Sequence, residues 1–216
     1  FEDVALEIVT DVEDAEGRIV ASMSTPVRLD HGETRTFHQA IVVPDTHLWD
    51  VDDPYLYTFV SQIKRHGDLV DLQRTPFGFR NIAFDAQRGF LLNGRQVKLN
   101  GVCLHHDGGC VGAAVPEAIW ERRFRKLRAM GCNAIRCSHN PPAPEFLDLC
   151  DRMGFLVMDE PFDEWKLCKA KNGNSTYGYS QYYDEWHMRD LLDTIHRDRN
   201  HPSIVVWSAG NEIMEQ

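Results

Sequence analysis

Phe146-Leu147-Asp148-Leu149-Cys150-Asp151-Arg152-Met153-Gly154-Phe155-Leu156-Val157-Met158-Asp159-Glu160 changes its period at the glycine. Before Gly154, the residues Phe146, Leu149, Cys150 and Met153 recur at i, i+3, i+4 and i+7, one face of an amphipathic helix that Pro144 opens. After it, residues 155–158 form a short continuous apolar run, as a strand buried on both faces does. The run ends in two carboxylates, Asp159 and Glu160. Helix, glycine stop, doubly buried strand and polar end make one unit of a βαβ crossover.

The same unit repeats in both directions. Upstream lie an apolar strand at 134–137 and a helix with Pro116 near its start, with Trp120, Phe124 and Leu127 on one face and Gly131 as its stop. Before that come a strand at 102–105 and a hairpin whose arms flank Asn93-Gly94. Downstream, a polar loop with glycine and asparagine covers about 169–180. A third helix follows, carrying Met188, Leu191, Leu192 and Ile195, and then a strand at 204–207. The order βαβαβαβ predicts a parallel sheet. Each strand ends in a polar cluster: His105-His106-Asp107, Ser138-His139-Asn140, Asp159-Glu160 and Asn211-Glu212. Chemically competent residues at the C-terminal ends of successive parallel strands are where a (β/α)₈ barrel keeps its active site. Periodicity alone does not separate a barrel from a doubly wound sheet.

Residues 1–84 read differently. Val4, Leu6 and Ile8 alternate with Ala5, Glu7 and Val9, and Tyr55, Tyr57 and Phe59 alternate with Leu56, Thr58 and Val60. Glu16-Gly17, His31-Gly32 and His66-Gly67 supply turns, and no amphipathic helix is legible. The expectation is a β-sandwich over 1–84 and an α/β domain over 85–216.

The whole chain has 216 residues, 43% hydrophobic and 26% charged, with a net charge of −10, so a packed core is within its composition. A net acidic surface repels phosphate backbones, and the basic stretch 122–128 has the spacing of a solvated helix face; nucleic acid is not an expected partner. No apolar run approaches the roughly 20 residues of a membrane span, and no leader pattern precedes the first strand. Six cysteines, at 103, 110, 132, 137, 150 and 168, fall in the second half without a Cys-x-x-Cys pair. They read as mostly reduced, buried small hydrophobes, and Cys103 to Cys110 with its histidines matches no structural zinc spacing. Cytoplasmic localisation is favoured, with a periplasmic one left open because Phe1 begins abruptly.

Several of these stretches resemble glycoside hydrolase family 2. Arg197-Asp198-Arg199-Asn200-His201-Pro202-Ser203-Ile204 leading to Trp207-Ser208-Ala209-Gly210-Asn211-Glu212 is similar to that family's acid/base signature. Asn133-Ala134-Ile135-Arg136-Cys137-Ser138-His139-Asn140-Pro141 resembles its second barrel-strand motif, and 93–105 its entry into the first strand. Leu48-Trp49 and Pro54-Tyr55-Leu56-Tyr57 resemble its immunoglobulin-like domain. The resemblance implies an immunoglobulin-like β-sandwich followed by the first four βα units of a TIM barrel, an internal piece of a larger retaining glycosidase. The Cys137-Ser138-His139 and 159–165 stretches are most similar to the β-galactosidase branch, so the expected substrate is a terminal β-galactoside. β-Glucuronidase and β-mannosidase are the family alternatives, and a non-catalytic carbohydrate-binding module is the alternative outside it.

The resemblance also implies roles. Glu212 matches the general acid/base, Asn211 the residue that binds the sugar 2-hydroxyl, and His105 and His139 the wall of the sugar subsite. Arg136 matches an arginine close to the nucleophile, which is a glutamate on a later strand beyond this chain. Within the chain, Asp159 and Glu160 are candidates for a second carboxylate. Some family β-galactosidases hold Mg²⁺ through a Glu-x-His pair, but this sequence reads Glu164-Trp165-Lys166. Lysine offers an ammonium in place of a metal ligand, which argues against Mg²⁺. Two alternatives stand in place of a metal: Lys166 bringing positive charge near Glu212, or Trp165 offering a face for sugar stacking. An unpaired strand at 204–207 would also favour self-association through the open half-barrel edge.

Overall fold

The computed structural model describes residues 4–169 and 178–213. Most of the expected loop at 169–180 therefore lies outside the described residues. The chain forms two compact units, Phe1–Leu48 with Tyr55–Phe79, and Trp49–Pro54 with Arg80–Gln216. No helix among the described residues is long and apolar enough to cross a membrane.

The first unit is built on an antiparallel sheet of β1 (Val4–Glu13), β2 (Ile19–Leu29), β3 (Tyr57–Arg65) and β4 (Asp68–Phe77), in the order β2-β1-β3-β4. The β3–β4 hairpin turns at His66-Gly67, both at positive φ (54° and 91°), which matches the twist of the flanking strands. Val12, Tyr57 and Phe77 form the buried face, and Phe59 stacks on Phe77 with centroids 3.9 Å apart. Ile41 and Val43 close over that face from a segment that has no regular strand. A side chain does the work of a ladder there: the Gln39 amide donates to Ile8 O (3.2 Å) and Thr25 Oγ1 (3.0 Å) and accepts from Thr10 Oγ1 (2.7 Å).

The second unit opens with an antiparallel meander of β5 (Ile82–Asp85), β6 (Gly89–Leu92) and β7 (Arg95–Gln96). Then β8 (Gly101–His105), α1 (Glu117–Ala129), β9 (Ala134–Ser138), α2 (Pro144–Met153), β10 (Leu156–Asp159), α3 (Tyr183–Asp198) and β11 (Ile204–Trp207) alternate. All strand pairs from β8 to β11 are parallel, in the order β11-β10-β9-β8. Each crossover therefore steps in the same direction, as a barrel requires and a doubly wound sheet does not. This settles what periodicity left open.

One face of this sheet packs on the helices. Trp120 and Phe124 of α1 and Phe146, Leu149 and Cys150 of α2 bury against Ile135, Cys137, Val157 and Ile204. Phe146 meets both Trp120 and Phe124 edge-on, at 5.0 and 5.1 Å between centroids. On the other face Cys103, Arg136, Met158 and Val206 share one register row across four strands. They line an apolar hollow of about 250 Å³. The cysteines divide accordingly: Cys137 and Cys150 are buried, whereas Cys103 and Cys110 are exposed, contrary to expectation. Strand alternation turns Cys103 away from the helices, and Cys110 lies in a short 3₁₀ turn.

Trp49–Pro54 belongs to the second unit although its neighbours in sequence belong to the first. Trp49 is fully buried and donates its indole N–H to Asp151 O (2.9 Å), while Asn93 Nδ2 donates to Trp49 O (3.0 Å). Next to it, α2 ends at Gly154 in the left-handed region (φ 66°), its N–H bonded to Cys150 O. The missing Cβ matters twice, since a side chain there would also collide with the Val51 carbonyl. At the start of β11, the Arg80 guanidinium donates to Pro202 O and Ile204 O, so the outer edge of that strand is partly covered from within the unit.

The third helix departs from its pattern. Met188 and Leu192 are exposed, and its buried positions are Thr194 and Asp198. The reason is the carboxylate at the end of β10. Asp159 is fully buried, neither of its oxygens has a hydrogen-bond partner among the described residues, and Asp198 with its Arg197 fork (2.6 and 2.7 Å) lies beside it. Burial, and then the charge of Asp198, push the Asp159 pKa from 3.8 up to about 7.

Two predictions follow from these contacts. Gly154→Ala combines left-handed strain with a backbone clash and should cost about 2–4 kcal/mol of stability in denaturant titrations. A loss below about 0.5 kcal/mol would mean that the 49–54 segment yields freely. For Asp159, a folded pKa above the unfolded one means that the native state holds the extra proton, so stability falls as pH rises from about 4 to 7. Asp159→Asn should remove that slope, raising the unfolding temperature most near pH 7 and above and least near pH 4. Unchanged slopes in the variant would assign the titration to another group.

Candidate active site

The polar clusters meet where the sheet order brings the C-terminal strand ends together. The centre is Glu160, directly after β10 and 1% exposed. A buried carboxylate must be surrounded by donors. Arg136 of β9 forks onto it, Nη2 to Oε1 at 2.8 Å and Nε to Oε2 at 3.2 Å. Ser208, one residue past β11, donates to Oε2 at 2.6 Å. His139 Nδ1 lies 2.7 Å from Oε1, and since an ionised carboxylate only accepts, Nδ1 carries the proton and Nε2 is left for the cleft. Burial by itself would raise the Glu160 pKa. The donors from Ser208, His139 and Arg136 outweigh it and hold the group below its ordinary value.

Arg136 reaches past Glu160 to Asn211 Oδ1 at 2.9 Å, and Asn211 Nδ2 donates to Asp163 Oδ1 at 2.9 Å. The amide is thus gripped at both ends and oriented, with a second N–H still to give. His105 at the end of β8 meets the His139 ring edge-on, 5.2 Å between centroids and 88° between planes. His105, Arg136, His139 and Asn211, picked out from the sequence, therefore form one connected group.

Glu212 and Trp165 lie to one side of it. Glu212 takes positive φ (48°) and its side chain is 81% exposed. The Trp165 indole N–H donates to Ala209 O at 2.9 Å, and a Cβ on Gly210 would come within 3.0 Å of its Nε1. Trp165 thus shapes the turn that delivers Asn211 and Glu212. The Lys166 ammonium pairs with Asp184 at 2.6 Å. The nearby cation is Lys169, whose Nζ lies 2.7 Å from Asn211 O, 3.1 Å from Asp163 Oδ1 and 3.7 Å from Glu212 Oε2.

Sequence reasoning missed Asp163, Lys169 and Ser208 and saw Glu160 only as an alternative nucleophile. Asp163 and Glu160 stand inside a stretch already singled out. Lys169 gave no signal, since it arrives from a loop without periodicity. Burial and ion pairing remove Asp159 and Glu160 as candidates for an attacking carboxylate. At the opposite end of the sheet, Asp148, Asp151 and His201 bring possible ligand atoms within 4.8 Å of one another. Asp151 there already binds His201 Nδ1 (2.6 Å) and Ser203 N–H (3.1 Å), the pattern of a staple that fixes the entry to β11.

Comparison with known proteins bears on both units. Residues 85–216 match the family description "Glycosyl hydrolases family 2, TIM barrel domain", and residues 2–80 match "Glycosyl hydrolases family 2". The chain is 52% identical to the β-galactosidase BoGH2A of Bacteroides ovatus, over 97% of this chain and 24% of that protein. It is 30% identical to a β-glucuronidase of Bacteroides fragilis, over 92% of this chain and 28% of that protein. A crystal structure of a glycosyl hydrolase family 2 member from Bacteroides cellulosilyticus superposes with a TM-score of 0.92 at 41% identity, over 99% of this chain and 27% of that one. The chain thus spans about a quarter of the length of these relatives. Because the two family descriptions run in succession along both units, the chain belongs to glycosyl hydrolase family 2.

Proposed function

We propose that the protein carrying this chain is a retaining glycosidase that cleaves terminal β-galactosides, with Glu212 as its general acid/base. The observation that carries this reading is the Asn211-Glu212 pair, an exposed carboxylate directly after an amide held from both sides. Glu212 would protonate the departing glycosidic oxygen and, in the second step, take a proton from water. Asn211 would direct its remaining N–H to the sugar 2-hydroxyl, where the bond strengthens as oxocarbenium character develops. His105 and His139 would line the sugar subsite, and the half-buried Trp165 would offer a face for stacking. Arg136 would stand beside the nucleophile, a glutamate from outside this chain, and favour its ionised form.

The galactoside is supported by the 52% identity to BoGH2A. A second reading, β-glucuronidase, is favoured by relatives of that name at up to 43% identity. It would require a cation for the C6 carboxylate. Arg136 and Lys169 are both engaged by carboxylates of the site, so that group would have to come from elsewhere in the protein. A panel of nitrophenyl glycosides given to the full-length protein separates the readings, and turnover of the glucuronide alone would overturn the galactoside.

Glu212→Gln in the full-length protein should slow turnover of lactose, a poor leaving group, by about 10²–10⁴. An activated phenol departs without a proton, so its glycoside should react far less slowly by comparison. Equal rates of variant and wild type on lactose would sink the assignment. The 216-residue chain alone should hydrolyse nothing above background. Among its described carboxylates Glu160 is ion-paired and buried, Asp159 is buried, and Asp163 is tied to Lys169 and Asn211. Turnover that co-purifies with the isolated chain would show that one of them can act as nucleophile.

A further inference from the structure

A divalent cation held by carboxylates needs their oxygens turned toward one point, with lone pairs free for it. Glu164 turns each of its oxygens to a backbone donor instead. It is 7% exposed, its Oε2 accepts the Lys169 N–H and its Oε1 the Ser180 N–H, each at 2.9 Å. Burial would raise its pKa, but these backbone donors hold it below the ordinary value. A Cβ on Gly178 would run into this carboxylate, so backbone also walls it in. The carboxylate works as a clamp on the loop, and one of the residues it clamps is Lys169.

The clamped lysine supplies the charge. Its ammonium has three N–H groups. Asn211 O and Asp163 Oδ1 lie within hydrogen-bond distance, and Glu212 Oε2 faces it at ion-pair distance. The Lys169 side chain is 25% exposed, so its position is far better defined than that of Glu212. A metal ion between Glu164 and Glu212 would meet this ammonium and be repelled by it.

We infer that Lys169 is the resident cation of the site, a positioning residue that holds the Asn211-Glu212 turn and its carboxylate where the resemblance would place Mg²⁺. The inference rests on Glu212 being the acid/base. Glu164 acts through the Lys169 backbone, and Lys166, turned to Asp184, has no part in it.

Crystals of the full-length protein soaked in manganese chloride test the cation without reference to activity. The expected anomalous map has no peak between Glu164 and Glu212, and Lys169 Nζ remains on Asn211 O. A manganese ion liganded by those two glutamates would overturn the inference. Kinetics test the positioning, on whichever nitrophenyl glycoside the wild type cleaves and on the alkyl glycoside of the same sugar. Lys169→Met should lower kcat on the alkyl glycoside by about 10- to 100-fold and change the nitrophenyl substrate little, with Lys169→Arg restoring most of the loss. Lys166→Met should match wild type, and chelator should have no effect. Equal losses on both substrates without rescue by arginine would mark Lys169 as merely structural and overturn the role. A wild type that cleaves no glycoside, or a Glu212→Gln enzyme fully active on the alkyl glycoside, would instead sink the acid/base reading, and the manganese map would still decide the cation.

Discussion

A carboxylate that is 1% exposed governs the site. Removing Glu160 from water is tolerable only if donors converge on it, and the chain supplies them from two places far apart in sequence: Arg136 with His139, and Ser208. Those donors come from the ends of β9 and β11, which flank β10 in the sheet. The sequential parallel order is therefore a condition for satisfying this charge as well as a way of making a core. Once satisfied, Glu160 orients what surrounds it. It fixes which His139 nitrogen carries a proton and holds Arg136 at the angle from which it also reaches Asn211.

From Glu160 the order passes outward by hydrogen bonds of decreasing burial. Asn211 is 8% exposed and held by Arg136 and Asp163, and Glu212, one residue further, is 81% exposed in its side chain. The gradient suits the chemistry proposed. The amide that must aim at one hydroxyl is fixed, while the carboxyl that must meet both a leaving group and water stands in the open. Trp165 shapes the turn that delivers them, by its hydrogen bond to Ala209 O and its close approach to Gly210.

Legibility in the sequence followed the range of the interaction. The helices, strands and hairpin of the second unit rest on periodicity and on punctuation by Pro144, Gly154 and Asn93-Gly94, all local, and they lie where the pattern put them. The sandwich was legible as alternation, but its second layer was not, because Gln39 replaces a ladder with side-chain bonds to residues 14 and 31 positions away. The stripe of Met188 and Leu192 misled, since the opposite side of α3 answers a buried polar group, Asp159. At the site, motif resemblance brought out His105, His139, Arg136, Asn211 and Glu212. The sequence offered Lys166 as one source of positive charge near Glu212, and the structure brings Lys169 there. Three residues along an irregular loop decide which lysine arrives, and no periodicity encodes that.

The two cations of the site work on different carboxylates for one reason. Arg136 has a planar fork and neutralises a buried anion by bidentate contact, which a compact ammonium could not match in geometry. Lys169 has a compact head with three donors, and it faces three oxygens at once: a carboxylate, a main-chain carbonyl and the Glu212 carboxylate. Placing the carbonyl of Asn211 on the same ammonium as the side chain of Glu212 couples backbone to charge, tying the turn to the Glu212 carboxylate. Glu164 completes the device by holding the lysine's own backbone. Its negative charge, answered by two N–H groups, then leaves Lys169 to face Asp163 and Glu212, and the positive charge beside Glu212 comes from the chain itself.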